Sequence, residues 1–336
     1  MINERDNFCL APLRGVTGLT FRNVFTRHFG GFDRAMAPFI PTVPATRVKP
    51  QLLKELDPQL NTTLPVIPQV LSKDPVQLKV MLKALKELGY KAVDLNLGCP
   101  WPMVVKRGRG SGLLQKPDLL VMLLEAGCAE LPGGFSIKVR LGIETPDLLL
   151  PLVETFNQFP LREITIHPRT AHQMYDGEVS LLHFARCMER CRHTVMYNGD
   201  IFTWRDFQNL KQAFPQIQNW MIGRGAVADP FLPQILRDKS TQHDLQRLKT
   251  FLDDLLATTQ LELSGNHPVL GRMKEFWSYL SRNLKNGKML LRRIHLCQTI
   301  DDYRRVVEDW FSRNPAWGRV EDGLSDRLFT ACMGAD

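Results

Sequence analysis

Residues 74–97 read DPVQLKVMLKALKELGYKAVDLNL, and their pattern decides the fold. Asp74 followed by Pro75 opens a helix. The Asp side chain can accept the first unpaired backbone N–H groups, and proline at the first helical position gives up a donor that has no partner there. Gly89 stops it. Between them apolar residues recur every three or four positions, which predicts an amphipathic helix over 74–89. AVDLNL then follows as a short run suited to a buried strand. A helix leading into a strand within two dozen residues is part of a repeating βα arrangement.

Outward from this stretch the same rhythm recurs. FCLAP near 8, AMAPFI near 35 and PVIPQVL near 65 precede it; FSIKVR near 135, EITIH near 163, TVMYN near 194 and NWMIG near 219 follow. A second clear helical pattern is KPDLLVMLLEAG at 116–127. Only the segment between 38 and 68, with its several prolines, is irregular. Eight such units in about 240 residues match the length of a (β/α)₈ barrel. An open doubly wound sheet is the alternative, but it would carry a glycine-rich fingerprint after its first strand, and APLRGVTG is not one. Past residue 240 helical periodicity dominates. The expected architecture is therefore α/β: a TIM barrel over 1–240, then a small all-helical domain over 245–336, joined by the linker RDKSTQHD.

With 44% hydrophobic and 23% charged residues the 336-residue chain has globular composition, which argues against disordered and fibrous classes. No stretch approaches 18 uninterrupted apolar residues, and MINERDNFCL has no basic-then-apolar leader, so neither a membrane span nor secretion is expected. The seven scattered cysteines suggest no disulfide framework. Cys187 and Cys191 stand four apart on an amphipathic segment without a second Cys/His pair, which reads as helix packing and not zinc ligation. A reducing cytoplasm fits. The net charge of +8 points to a polyanionic partner. From Arg272 to Arg293 there are seven Lys/Arg (Arg272, Lys274, Arg282, Lys285, Lys288, Arg292, Arg293) and one acid, Glu275. Alone, such a run is a solvated helix face. A second basic stretch, Lys106, Arg107, Arg109 and Lys116, is a candidate counterpart.

Active sites in barrels of this type form at the C-terminal strand ends, with phosphate often held after strands 7 and 8. The strand ends supply Pro12 and Leu13, Gln69, Asn96 and Cys99, Lys138, His167 and Arg169, Asn198-Gly199-Asp200, and Gly223-Arg224. Each has an ordinary structural explanation alone. Together, a Lys, a His, amide side chains and two glycine-containing loops suit a phosphorylated aromatic cofactor. The loops offer N–H groups and a guanidinium to phosphate, and the amides can bond a heterocycle edge. Flavin mononucleotide (FMN) is a natural candidate, and no metal-ligand spacing competes.

The ordered set LAPLRGVT, a strand-end Gln, DLNLGCP, IKVR, IHPRT, NGDI and MIGRGA, spanning 10–225, resembles the dihydrouridine synthase family. GRMKEFWSYL at 271–280 resembles the start of that family's helical RNA-binding domain. The resemblance implies a cytoplasmic enzyme that uses FMN and NADPH to reduce uridine in tRNA. It implies FMN contacts at Pro12, Leu13, Gln69, Lys138, His167, Asn198, Asp200, Gly223 and Arg224, with Arg14 and Gly199 alongside, and an active cysteine at Cys99. Two departures stand out. Position 14 is Arg where the family more often has Ala or Glu, and Trp101-Pro102 replaces a pair of small and polar residues.

Reducing the uracil C5–C6 bond needs a hydride at C6 and a proton at C5. A free thiol, with an unperturbed pKa of about 8.5, is mostly protonated at neutral pH and can donate that proton. Cys99 is the candidate, and the basic glycine-rich loop after it is expected to be a mobile lid that grips RNA. The RNA-facing set is Asn96, Arg107, Arg109, Arg169, Arg272, Lys274, Arg282, Lys285, Arg292 and Arg293, acting on a uridine drawn out of its stack. Trp277 and Tyr279 read as core. A monomer without a stable protein partner is expected. The rivals are an FMN barrel acting on a small molecule, a synthase acting on ribosomal RNA, and a non-catalytic RNA-binding protein.

Overall fold

The computed structural model describes residues 6–239, 242–313 and 316–318. They form two compact units. The first comprises residues 6–12, 33–199 and 214–222; the second comprises 13–32, 200–213 and those from 223 onward.

The first unit is the barrel. Asn7–Leu10 pairs in parallel with Arg34–Met36 on one side and Asn219–Ile222 on the other. The ring continues from Arg34–Met36 to Val66–Ile67 and, one step along the same chain stretches, from Ile40–Pro41 to Gln69–Leu71. It then runs through Val93–Leu97, Phe135–Gly142, Ile164–Thr170 and Val195–Tyr197 back to Asn219–Ile222. Every pairing is parallel. The second and third strands are each split in two, at Pro38 and Pro68, because proline has no N–H to give to the ladder. Eight chain stretches thus close a barrel from ten short strands, which accounts for the irregular 38–68 region.

The helix read from residues 74–89 spans Pro75–Glu87. Asp74 accepts from the backbone N–H groups of Val76 at 2.8 Å and Gln77 at 3.1 Å. Gly89, at φ +92°, ends the turn in the left-handed region that favours glycine. Pro117–Glu130 is the second expected helix. On the strands, Val93, Leu95, Leu97, Ile137, Val139, Ile164 and Ile166 alternate with Asp94, Asn96, Ser136, Lys138, Thr165 and His167. The period-2 alternation turns the first set out toward the helices and the second into the barrel.

In the second unit, helix Leu19–His28 shares an aromatic core with Leu245–Glu262 and Asn266–Leu280. The rings of Phe21 and Phe276 stack at 5.2 Å, and Phe29 meets Phe251 edge-on at 5.1 Å. Helices Gly287–Leu296 and Ile300–Ser312 follow. Trp277 is fully buried and donates to the Tyr303 hydroxyl at 2.8 Å, so it is core as expected. The segment 316–318 pairs back through the Leu284–Trp317 bridge. Among the described residues the six cysteines are free, and Cys187 is buried in its helix; Cys332 lies outside them. No described helix is long and apolar enough to cross a membrane.

Candidate active site

The barrel interior is polar along much of its length. Arg34 Nη2 meets Glu163 Oε2 at 2.6 Å. Arg34 begins its strand and Glu163 immediately precedes Ile164–Thr170, which is not a neighbour of that strand, so the ion pair links non-adjacent strands of the barrel. Burial pushes the Glu163 carboxyl upward against the pull of Arg34, and pushes the nearby Cys9 thiol up to about 12.

Toward the other end Gln69, Asp94, Asn96 and Cys99 form one directed chain of hydrogen bonds. Ser136 Oγ donates to Asp94 Oδ1 at 3.0 Å, and Gln69 Nε2 donates to Asp94 Oδ2 at 2.7 Å. Asn96 Nδ2 donates to Gln69 Oε1 at 2.8 Å. Asn96 Oδ1 in turn accepts the backbone N–H groups of Cys99 at 2.8 Å and Gly98 at 3.2 Å. Asn96, expected to face substrate, directs both ends of its amide inward to hold Gln69 and the cysteine turn.

Cys99 itself is only 6% exposed. The basic glycine-rich stretch after it, expected as a mobile lid, forms two short helical turns, Pro102–Lys106 and Gly110–Gln115. Ser111 donates to the Cys99 carbonyl from both its backbone N, at 3.2 Å, and its hydroxyl, at 3.0 Å. Gly110 sits at φ +57°, and a Cβ there would lie 2.9 Å from the Cys99 Cβ. Glycine is what lets this turn pack closely against Cys99. Arg107 is exposed, while Arg109 turns back to donate to the Thr42 carbonyl at 3.1 Å.

Lys138 pairs in register with Asn96 and is close enough to Cys99 and Asp94 to couple with both electrostatically. Among the described residues its ammonium makes no hydrogen bond or ion pair. Burial pulls its pKa down to about 8, helped by the neighbouring Arg140 and opposed by Asp94. Burial raises Asp94 to about 7, against the hydrogen bonds from Gln69 and Ser136 and the charge of Lys138.

Arg140 donates to the carbonyls of Gly98 at 2.9 Å and Thr170 at 2.8 Å, and its guanidinium lies 5.4 Å from the Tyr175 ring centroid. His167 and Arg169 are buried; Arg169 Nη1 lies 3.4 Å from His167 Nε2, and Arg169 Nε donates to the Gly177 carbonyl at 3.2 Å. Arg169 is thus tied into its own loop. Asn198 donates to the Met221 carbonyl at 3.0 Å. Pro12 follows the first strand, and Gly199 is a position where any Cβ would strike the Tyr197 hydroxyl. Asp94, Ser136, Arg140 and Tyr175 do not stand out in the sequence. The first three follow from the in-out alternation of VDLNL and FSIKVR; Tyr175, in an irregular loop, has no such signal.

In the second unit Leu13 N–H donates to the Thr17 hydroxyl at 2.8 Å, and Arg14 is exposed. Gly223 precedes the short helix Arg224–Ala228, and Arg224 Nη2 meets Asp200 Oδ1 at 2.6 Å. The basic run divides by role. Lys274 donates to the carbonyls of His295 and Cys297, and Arg293 is paired to Asp309 at 2.7 Å. Arg282 lies over the Tyr279 ring, Arg272 is half-buried and near Glu275, and Lys285, Lys288 and Arg292 are exposed.

A family model described as dihydrouridine synthase (Dus) matches residues 9–314. The chain belongs to the dihydrouridine synthase family. This synthase is accordingly an oxidoreductase. It is 28% identical over 310 residues to a protein of Haemophilus influenzae named tRNA-dihydrouridine(16) synthase, with 88% of this chain and 97% of that one covered. A protein of the same name from Cupriavidus necator is 28% identical over 316 residues, covering 89% and 95%. Among solved structures, morphinone reductase in complex with tetrahydroNAD superposes with a TM-score of 0.51 at 9% identity, covering 72% of this chain and 89% of that one. At that identity the likeness bears on fold alone, and the fold is the TIM barrel expected from the repeated units.

Proposed function

We propose that this synthase is an FMN- and NADPH-dependent tRNA-dihydrouridine synthase that reduces the C5–C6 bond of a uridine, with position 16 as its target. The observation that carries the reading is the placement of Cys99. Its backbone is fixed by Asn96 and Ser111 at a strand end, and its thiol lies within electrostatic reach of Lys138. The names of the similar proteins support tRNA and position 16.

The donor set fits a flavin. Lys138, a desolvated ammonium with no hydrogen-bonding partner among the described residues, suits an electron-rich acceptor on a cofactor ring. Gln69, His167 and Asn198 line the same unit's strand ends, with Pro12 and Gly199 beside them. Leu13, Arg14, Asp200, Gly223 and Arg224 are proposed as further cofactor contacts, the guanidinium of Arg224 for the phosphate. A flavin held there would supply the hydride for uracil C6, with NADPH as its reductant. Cys99 donates the proton to C5, a step in which a placed acid is typically worth about 10²- to 10⁴-fold. Asn96 holds the turn carrying Cys99, and Arg140 fixes the Gly98 carbonyl beside it. In the region 245–336 we propose an RNA-binding domain, with Arg282, Lys285, Lys288 and Arg292 meeting phosphates. The chain acts in the cytoplasm as a monomer.

Mapping dihydrouridine in tRNA from cells with and without the gene tests the reading. Loss of dihydrouridine at position 16 alone is expected; unchanged tRNA, or loss in ribosomal RNA instead, overturns it.

A further inference from the structure

Trp101 and Met103 are large apolar side chains left in solvent, at 53% and 69% exposure, two and four residues beyond Cys99. An exposed indole is unusual, since tryptophan is highly buried on average. This one is also rigidly presented. Pro100 and Pro102 flank it, and proline restricts both its own backbone and that of the residue before it. Trp101 is extended, at φ −58° and ψ 128°, and makes no side-chain cap bond. Its carbonyl accepts from Val104 N at 2.8 Å and Val105 N at 3.0 Å, anchoring the Pro102–Lys106 turn. On the N-terminal side the Cys99 carbonyl is held by Ser111. The backbone that carries the indole is therefore held in fixed register with the backbone of Cys99.

The charge along this stretch of chain has one sign. No acid occurs between Asp94 and Asp118, while Lys106 and Arg107 at the end of the turn are exposed. Exposed aromatic and sulfur-bearing side chains beside cations, with no anion, match the way single-stranded nucleic acid is held: bases on flat apolar surfaces, phosphates on cations. Two extended residues span at most about 7 Å, roughly two stacked-base spacings of ~3.4 Å. A base resting on Trp101 would be a near neighbour of one presented to Cys99.

We propose that Trp101 and Met103 form a shelf on which an unpaired base adjacent to the target uridine stacks, with Lys106 and Arg107 holding its phosphate. This rests on the tRNA reading above and deepens it. The shelf takes the neighbour when the target uridine leaves the stack, which offsets part of the cost of unstacking. It would also make the identity and unpaired state of the flanking nucleotide part of substrate choice.

The test uses flavin-loaded protein and an unmodified transcript of a tRNA with uridine at position 16, with a fully paired RNA of similar length as control. Trp101→Ala should bind the transcript about 5- to 150-fold more weakly, the range for losing one stacked base, while binding the duplex as wild type does. Trp101→Phe should stay near wild type. Met103→Ala, which leaves the Pro-Trp-Pro backbone untouched, should weaken transcript binding in the same direction. NADPH should reduce the flavin at the wild-type rate in all three. Equal transcript binding by wild type, Trp101→Ala and Met103→Ala overturns the shelf. So does an equal loss on duplex, or self-association of wild type that Trp101→Ala abolishes without touching RNA affinity. If wild type itself neither binds the transcript nor forms dihydrouridine in it, the tRNA reading has failed, which is a different result.

Discussion

Asn96 Oδ1 accepts the backbone N–H of Cys99 at 2.8 Å. The same amide donates to Gln69, which donates to Asp94. Both Asp94 oxygens accept, from Gln69 Nε2 and from the Ser136 hydroxyl, and this end point gives the whole chain of bonds its direction. The position of the thiol is thus set from the barrel interior, by residues three hydrogen bonds away.

Replacing Asn96 by Ala leaves the N–H groups of Gly98 and Cys99 and the Gln69 oxygen without their partner. A buried group so orphaned costs about 1–3 kcal/mol. Urea unfolding should show a loss of that size, and uridine reduction should fall further than tRNA affinity does. An unchanged unfolding midpoint would mean that water replaces the amide freely.

Asp94 makes a pH prediction. Its pKa of about 7 in the folded chain lies above the ~3.9 of an unfolded Asp. A raised pKa means that its contribution to stability is fully present below about pH 4 and is lost as pH rises through 7. Asp94→Asn lacks that loss. Its stability relative to wild type should therefore improve between pH 5 and pH 8, at about 1.4 kcal/mol per unit of pKa difference at most. A difference independent of pH would show that Asp94 titrates normally.

Lys138 has the opposite sign. Its pKa of about 8 lies below the ordinary value, so its contribution is present above roughly pH 10.4 and is lost as pH falls through 8. At pH 7 the half-buried, partly desolvated ammonium costs stability. Lys138→Met should raise the thermal midpoint at pH 7 and weaken flavin retention, read from absorbance after gel filtration. A lower midpoint with flavin kept would contradict its proposed place in the site.

The basic run should divide functionally as it divides structurally. Lys285→Glu, Lys288→Glu and Arg292→Glu together should weaken tRNA binding and flatten its salt dependence, by a slope of about 0.7 for each single-strand phosphate no longer neutralised. Flavin reduction by NADPH should not change. Arg293→Glu should also destabilise the helices, because Arg293 is paired to Asp309. Unchanged affinity in the triple variant would make this a solvated face.

Much of the fold is legible in the sequence because it rests on local periodicity. The Asp-Pro start and Gly stop at 74–89 and the apolar runs near each strand determine the barrel, and the order of the strand ends collects Gln69, Asn96, Cys99, Lys138 and His167. Hidden from the sequence is the direction of side chains whose role depends on distant partners. Arg169 and Lys274 look like surface cations in sequence, yet each is satisfied by a carbonyl. The Gly110–Gln115 turn looks like part of a mobile lid, yet its glycines let it pack closely against Cys99. Asp94 looks like an ordinary strand residue, although the alternation of VDLNL already turns it inward.

That Cys99 gives the C5 proton is tested most directly by single-turnover reoxidation of the reduced flavin by tRNA without oxygen. Cys99→Ala should keep its flavin, accept hydride from NADPH and bind tRNA, yet reoxidise about 10²- to 10⁴-fold more slowly than wild type. Cys99→Ser should recover little, because a hydroxyl is a far weaker acid than a thiol. Reoxidation of Cys99→Ala at the wild-type rate would contradict this role and leave Cys99 as a packing residue at a strand end.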